Sequence, residues 1–308
     1  MDNLRSFGNA LKLIREELSL SKVEVSKSTG INEETIRRIE YGKVIPKFET
    51  LDYLSDAYKL DLIKLFVEYR IKDQAYFYEL KNRIELKLDN NKIYNLYSDL
   101  KELKTFLMYV DNLFYKKSIQ QLIFLVKFIL LYRKDKKYQE SLDTLINAIK
   151  ITNFDFDLNN YQSFVYNSLE IRLLMNIAFI MNRLNNTKQY IEILQFCVDS
   201  ADINDNIYPK LCHNLAGAYR RSKNFKRSLY YSNFAIESAQ RQQNYSGLYI
   251  IFYGKGLSQF FLGIDEYKKT FNTSMTLCEA FGHSEAKKNL IKKAKNSIGI
   301  DLQKCSHD

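Results

Sequence analysis

Glycine and proline are scarce in this chain of 308 residues, which contains ten glycines and two prolines, Pro46 and Pro209. No glycine occurs between Gly42 and Gly217. All-β and doubly wound folds need many turns, and turns use both of these residue types. The scarcity excludes those classes and predicts an all-α fold, in which helices are joined by short polar turns.

Cysteine patterns that would build a disulfide framework or a zinc site are also missing. The four cysteines are far apart, no pair has the CxxC spacing, and the three histidines do not complete a zinc-finger pattern. We therefore expect reduced thiols, as in a cytoplasmic protein, and no bound metal.

Long apolar runs are absent as well. The most apolar window, residues 122–131, is ten residues long and contains Lys127, whereas a membrane-spanning helix needs about 20 apolar residues. The first residues include Asp2, and no apolar signal-peptide core follows them. The sequence predicts a cytoplasmic location and no membrane partner.

Catalytic motifs are not found either. The chain has no G-x-S-x-G, P-loop, H-E-x-x-H or G-x-G-x-x-G pattern, and its glycines are too few for a loop that holds phosphates. We predict a protein that is not an enzyme and that uses no cofactor.

Positive charge is in excess over the whole chain, with 46 Lys and Arg against 36 Asp and Glu, a net charge of +10. Residues 1–70, however, hold 12 of each sign. Any DNA binding by this segment must therefore depend on placed residues, and on two copies binding together, because bulk attraction to phosphates is weak.

The first 62 residues contain the start and stop signals of several short helices. Ser21 and Glu24 have capping-box spacing, Asn32 is placed to cap the next helix, and Gly42 is placed to end it. Residues 21–26, 30–32, 35–42 and 46–51 together resemble the Xre/Cro-type helix-turn-helix domain. The resemblance implies a five-helix DNA-binding domain over residues 1–70, whose last helix, near 62–69, connects to the rest of the chain.

The second helix of a helix-turn-helix lies in the major groove. Here it covers about residues 33–41, and Ile36 and Ile39 are expected to face the core. Its arginines can pair with guanine or with phosphates, and its two glutamates either complement the helix dipole or accept from cytosine. The predicted DNA-binding residues are Ser21, Lys22, Asn32, Glu33, Glu34, Thr35, Arg37 and Arg38.

From about residue 71 the pattern changes to paired amphipathic helices. The predicted pairs are 73–88 with 92–110, 112–134 with 137–151, 160–185 with 187–201, 206–222 with 224–241, and 245–262 with 265–281, followed by a tail helix at 284–298. An aromatic residue recurs at the turns, as Tyr138, Tyr190, Phe225 and Tyr267. This pattern resembles degenerate tetratricopeptide repeats, although the consensus Trp and closing Pro are missing, and it implies a right-handed superhelix of helical hairpins over residues 71–308.

The two parts in this order resemble the RRNPP group of Gram-positive peptide-pheromone sensors, most closely its PlcR-like members. The resemblance implies a cytoplasmic, quorum-sensing-type transcription regulator that binds operator DNA as a homodimer. A short signalling peptide held by the repeats would control it. Two alternatives stay open, in which the repeats bind a protein partner or only dimerise, without a peptide ligand.

The first helices of stacked hairpins line a concave face. On that face Asn176 and Asn214 lie 38 residues apart, about one repeat, and an asparagine amide can both donate to and accept from a peptide backbone. Nearby cations would favour a carboxylate, and phenylalanines would form apolar pockets. The predicted peptide-binding residues are Lys127, Arg172, Asn176, Phe179, Lys210, His213, Asn214, Phe252, Lys255 and Gln259.

Overall fold

The computed structural model describes residues 2–89, 95–110, 112–134, 137–245 and 247–302. Within these ranges the chain forms only helices, so the all-α prediction is confirmed. None of the described helices is long and apolar enough to cross a membrane. The α-helices are α1 Asp2–Glu17, α2 Lys22–Thr29, α3 Glu33–Glu40, α4 Phe48–Tyr58, α5 Leu62–Asp89, α6 Leu96–Tyr109, α7 Leu113–Lys134, α8 Tyr138–Lys150, α9 Ser168–Arg183, α10 Thr187–Ser200, α11 Tyr208–Arg221, α12 Phe225–Arg241, α13 Leu248–Phe261, α14 Tyr267–Ala280 and α15 Ser284–Ile298, with a 3-10 helix at Tyr161–Ser163.

The chain divides into two compact units, Met1–Ile123 and Phe124–Asp308. The first contains α1 to α6 and the start of α7. The predicted domain boundary at residue 70 stays a prediction, and that position lies inside α5. The expected break between a connector helix and the first repeat helix was wrong, because residues 70–73 include neither glycine nor proline and the helix continues through them.

Helices α1 to α5 enclose one apolar core. Phe7, Leu11, Ile36, Leu51 and Leu62 are among its members, and each is at most 1% exposed. Gly8 brings α1 against the end of α3, since a Cβ there would lie 2.4 Å from the carbonyl oxygen of Glu40. The close backbone approach fixes how α3 sits on α1, and it leaves the opposite side of α3 open.

The helix caps in this unit agree with the sequence pattern. The Ser21 hydroxyl accepts from the Glu24 amide at 3.1 Å, and the Glu24 carboxylate accepts from the Ser21 amide at 2.7 Å. Gly30, at φ +72°, ends α2 in the left-handed region that glycine tolerates best. The Asn32 side chain then accepts from the Glu34 amide at 2.8 Å, so α2 and α3 are separated by a three-residue turn.

The second unit is a series of helical hairpins in which each helix packs on the next along the chain, from α8 to α15. Each of three successive hairpins has one residue with left-handed backbone torsion angles in its turn. These residues are Asn185 at φ +63°, Lys223 at +60° and Gly263 at +69°. A small residue lets paired helices approach, since a Cβ at Gly256 on α13 would lie 2.8 Å from the Phe271 ring of α14. The helical-repeat prediction is confirmed.

Candidate DNA and ligand interfaces

Helix α3 buries one side and presents the other to solvent. Ile36 and Ile39 are 0% and 1% exposed, as the periodicity predicted. The remaining predicted contact residues of this helix are open: Glu33, Glu34, Arg37 and Arg38 are exposed, and Thr35 is partly exposed. The geometry therefore allows the surface of α3 to meet a nucleic acid.

The predicted contact residues outside α3 have structural roles of their own. Ser21 and Asn32 are exposed N-caps, and their side chains accept backbone amides. Lys22 is only partly exposed, and its Nζ lies 3.5 Å from Glu40 Oε2. An ion pair with a buried carboxylate limits how far Lys22 can reach towards a phosphate.

Glu40 is the centre of a buried ionic network at the end of α3. Its Oε1 accepts from Arg15 Nε at 2.6 Å and its Oε2 accepts from Arg15 Nη2 at 3.2 Å. Arg15 also donates from Nη1 to the Leu20 carbonyl at 2.8 Å. This bidentate pair ties α1 to α3.

Arg37 is held by a neighbour on the same open surface. Its Nε and Nη2 donate to the two carboxylate oxygens of Glu34 at 2.7 and 2.9 Å. The hydrogen bond from Arg37 keeps the pKa of Glu34 below its usual value. Arg38 forms no ion pair with another described residue, so the two adjacent arginines are not equally available to DNA.

Replacing Glu34 by glutamine is expected to raise affinity for any DNA duplex. The change removes a negative charge from the surface that would meet the DNA, and it weakens the hold on Arg37. We expect the slope of log affinity against log salt to steepen by about 1 per subunit. Asp56→Asn is a matched control, because Asp56 forms an exposed i,i+3 pair with Lys59 at the end of α4. Fluorescence anisotropy over a salt series measures the affinity and the salt slope of both variants. An unchanged slope for Glu34→Gln contradicts the prediction.

Asn176 and Asn214 occupy neighbouring helices of the second unit. The Asn214 amide nitrogen lies 3.2 Å from the sulfur of Met175 on α9, so the two helices meet at this face. The Asn176 amide donates to the Arg172 carbonyl of its own helix at 2.7 Å. Both side chains are partly exposed, and the amide oxygen of neither accepts a hydrogen bond from another described residue. Two acceptors are therefore open to a ligand.

The structure corrects the predicted repeat register at α13. The turn residues Asn185, Lys223 and Gly263 are spaced by 38 and 40 residues, whereas the prediction followed the aromatic spacing of 42 from Phe225 to Tyr267. The extra residues lie in the turn before α14, not in α13. The positions equivalent to His213 and Gly217 are therefore Tyr253 and Leu257.

The predicted residues of α13 consequently leave the Asn214 face. At about 100° per residue, Phe252, Lys255 and Gln259 lie about 100–160° around α13 from Tyr253 and Leu257. Gln259 is buried, with 7% exposed. These three residues were wrongly assigned to the face that carries Asn214.

The other predicted groove residues differ in how open they are. Arg172 is buried, with 7% exposed, so it does not present an open cation as expected. Lys127 is partly exposed, and its ammonium lies 5.3 Å from the centre of the Phe124 ring. Phe179 packs with its ring centre 6.3 Å from that of Tyr190, and Lys210 is partly exposed.

A cleft of about 500 Å³ lies between α13 and α15. Tyr253 and Leu257 of α13 contribute its apolar part. Its polar part comes from one side of α15, with Asn289, Lys292, Lys293, Asn296 and Ser297. The tail helix packs through Leu290 and Ala294 and leaves this cleft open.

His213 is held in its neutral form. Burial, and then the positive charges of Arg220 and Arg221, lower its pKa from 6.5 to about 4. The predicted peptide-binding residues include neither arginine, although the sequence pattern places Arg221 on the same face as Asn214. The Arg220–Arg221 pair at the end of the Asn214 helix was the signal that could have included them.

The lowered pKa of His213 predicts a pH dependence of folding. Because the unfolded chain binds this proton near pH 6.5 and the folded chain only near pH 4, stability is full above 6.5 and falls as the pH drops between those values. His213→Gln is expected to flatten the loss between pH 7 and 5. Denaturant midpoints at both pH values test this, with His283→Gln as the control, and equal pH dependence of wild type and His213→Gln contradicts it.

Comparison with known proteins agrees with the two-part architecture. Residues 11–65 match the helix-turn-helix family model. None of the curated proteins matches the chain. Three of the solved structures that match are similar over nearly the whole length, although each is less than 20% identical.

The first is Bacillus thuringiensis PlcR in complex with the peptide PapR7 and DNA, with a TM-score of 0.61, 19% identity and coverage of 92% of this chain and 98% of that chain. S. thermophilus ComR in complex with DNA and its signalling peptide ComS has a TM-score of 0.53, 13% identity and coverage of 96% and 100%. A cysteine-to-serine variant of the Streptococcus dysgalactiae SHP pheromone receptor Rgg2 has a TM-score of 0.52, 16% identity and coverage of 95% and 99%. The chain therefore combines an N-terminal helix-turn-helix domain with the helical-repeat fold that PlcR, ComR and Rgg2 share.

Proposed function

We propose that this protein is a cytoplasmic transcription regulator that binds operator DNA as a homodimer and is controlled by a short signalling peptide. The observation that carries the proposal is the pairing of an open α3 surface with a repeat face whose two asparagine amides have free acceptors. The fold shared with PlcR and ComR supports it, since those proteins were solved with DNA and a peptide. The function is regulatory and not catalytic.

The proposed DNA contact uses α3 in the major groove. Arg38 and Thr35 meet base edges or phosphates. Ser21 and Asn32 cap the N-terminal ends of α2 and α3, which point at the phosphates of the DNA backbone. One domain of balanced charge binds weakly, so a homodimer on two half-sites supplies the affinity.

The proposed peptide contact uses Asn176 and Asn214 as backbone clamps. Each amide oxygen accepts from a peptide N–H, so successive hairpins hold successive parts of an extended ligand. The cleft between α13 and α15, with an apolar part and a polar part, offers the same kind of site to a peptide side chain.

The experiment begins with the full-length protein. Selection from random duplexes identifies a binding sequence, and calorimetry then measures synthetic peptides from short reading frames next to the gene, with and without that duplex. We expect one peptide to bind and its affinity to change when DNA is present, because a controlling ligand must distinguish two states. DNA binding with no peptide binding would support a repeat domain that only dimerises or binds a protein.

Substitution of the two asparagines makes the test specific. Asn176→Ala and Asn214→Ala are expected to weaken peptide binding and leave DNA binding in the absence of peptide unchanged. Asn289→Ala, at the α13–α15 cleft, asks whether that cleft belongs to the same site. A normal peptide response in both asparagine variants would remove them from the site.

A further inference from the structure

Two consecutive arginines at the end of α11 converge on one glycine. A Cβ built at Gly217 would lie 3.6 Å from Arg221 Nη1 and 3.8 Å from Arg220 Nη2. Both guanidinium groups therefore reach the space beside a residue that has no side chain. Gly217 lies one turn from His213 and Asn214, so this point belongs to the proposed ligand face.

The hydrogen-bond partners of these arginines are uncharged. Arg220 Nη1 donates to Ser228 Oγ at 3.2 Å and to the Gly254 carbonyl at 3.1 Å. Arg221 Nη2 donates to the Tyr190 hydroxyl, and the guanidinium lies 5.4 Å from the centre of that ring. Within the described ranges, no carboxylate lies within ion-pair distance of either group.

Three other cations that are at least partly buried do have carboxylate partners. Arg15 pairs with Glu40 at 2.6 Å, and Arg83 and Lys87 share Asp99 at 3.0 and 2.6 Å. The charge at Arg220 is instead opposed by burial and by Arg221, which together lower its pKa to about 10. Like charges placed together in a partly desolvated site are unfavourable unless an anion joins them.

We propose that Arg220 and Arg221, converging over Gly217, bind a carboxylate of the signalling peptide. The inference rests on the proposed function, since it names the ligand group that this part of the face receives. Arg220 Nη2 and Arg221 Nη1 supply two charge-assisted N–H donors, and the carboxylate would take the position beside Gly217 that a side chain would otherwise fill. The carboxylate belongs either to the peptide C-terminus or to an acidic side chain.

The first test uses inorganic sulfate as an anion probe that needs no known peptide. The chain contains three histidines, so the full-length protein labelled with ¹³C at histidine gives few signals, which His→Gln variants assign. We expect sodium sulfate to shift the His213 signal saturably and to leave the His283 signal unchanged. In Arg221→Gln, sulfate should shift neither signal. An unshifted His213 signal, or an equal shift in Arg221→Gln, would overturn the proposal.

The second test uses a pool of synthetic heptapeptides, made once with free carboxyl termini and once as C-terminal amides. Peptides that stay with the full-length protein through gel filtration are identified by mass. We expect the free acids to be enriched about tenfold over their amides, since a charge-assisted bond is worth about that factor. Enrichment of Glu-containing peptides over their Gln partners within the amide pool assigns the carboxylate to a side chain instead.

Matched variants separate the possible failures. Arg221→Gln is expected to remove the preference for free acids over amides. Arg241→Gln removes an exposed arginine of α12 and should retain that preference. Arg220→Lys retains the charge at the less exposed position, and circular dichroism checks its folding. Recovery of both pools without preference overturns the carboxylate site and leaves the proposed function intact. Recovery of neither pool counts against the peptide ligand, and the sulfate result then decides the anion site.

Discussion

Replacing Arg15 by alanine is expected to destabilise the helix-turn-helix core by about 3–5 kcal/mol. The substitution leaves the Glu40 carboxylate, only 3% exposed, without its bidentate partner. Lys22, at 3.5 Å, is too distant to replace both hydrogen bonds. Because Glu40 is the last residue of α3, the loss falls on the helix that would meet DNA.

Hydrogen exchange read by mass spectrometry suits this test, because it reports on residues 2–66 separately from the rest of the chain. Amides of α1 and α3 should exchange about a hundredfold or more faster in Arg15→Ala. Lys12→Ala is the control. Among the described residues, Lys12 forms one exposed ion pair, with Glu16 at 3.7 Å, and its loss should change stability by at most about 0.5 kcal/mol. Unchanged protection in Arg15→Ala would contradict the prediction.

A double variant tests the reason for the loss. Arg15→Met with Glu40→Leu replaces the whole ion pair by apolar groups and leaves no unpaired buried charge. Such replacements are often neutral, so the double variant should be far more stable than either Arg15→Ala or Glu40→Ala. If all three lose the same stability, packing at this position and not charge pairing is responsible.

Replacing Arg38 by alanine is expected to reduce operator affinity by a factor of between about 30 and about 2 × 10⁴. One arginine contact to a base edge is worth about 1–3 kcal/mol, and a homodimer loses it twice. Arg38 is exposed and forms no ion pair with another described residue, so its guanidinium needs no release before binding. The size of the effect rests on the proposed function and on the dimer it includes.

Anisotropy titrations on the selected duplex at fixed salt measure this loss. Arg37→Ala should cost less, because Arg37 must first leave Glu34. Arg38→Lys tells base reading from phosphate contact, since lysine keeps the charge and loses the paired geometry. Wild-type affinity in Arg38→Ala would show that α3 does not approach DNA through this residue.

Much of the helix pattern could be predicted from local sequence signals. Helix α15 begins and ends at the predicted residues 284 and 298, and α11 to α14 lie within three residues of prediction. The start of α9 was predicted less accurately. The helix begins at Ser168, not at 160, because Asn167 and Glu170 form a capping box that the apolar periodicity concealed.

The candidate sites were harder to predict, because they depend on contacts between distant segments. Arg15 and Glu40 are 25 residues apart, and no local pattern links them. The register of α13 was misplaced by two residues because aromatic side chains, and not turn geometry, set the predicted repeat. The left-handed turn residue Gly263, at φ +69°, shows which positions of α13 correspond to those of α11. Its torsion angle cannot be read from the sequence.

Helix α5 also bears on how the protein can be dissected. It runs for 28 residues, about 42 Å, from the helix-turn-helix core to α6. Its second half buries Phe77, Leu80 and Ile84, and Arg83 and Lys87 bond Asp99 of α6. A fragment that ends at residue 70 would interrupt the continuous helix α5. A fragment that ends at residue 89 would expose the apolar side chains that α5 buries. The shortest DNA-binding piece fit for expression should therefore end after α6, near residue 110.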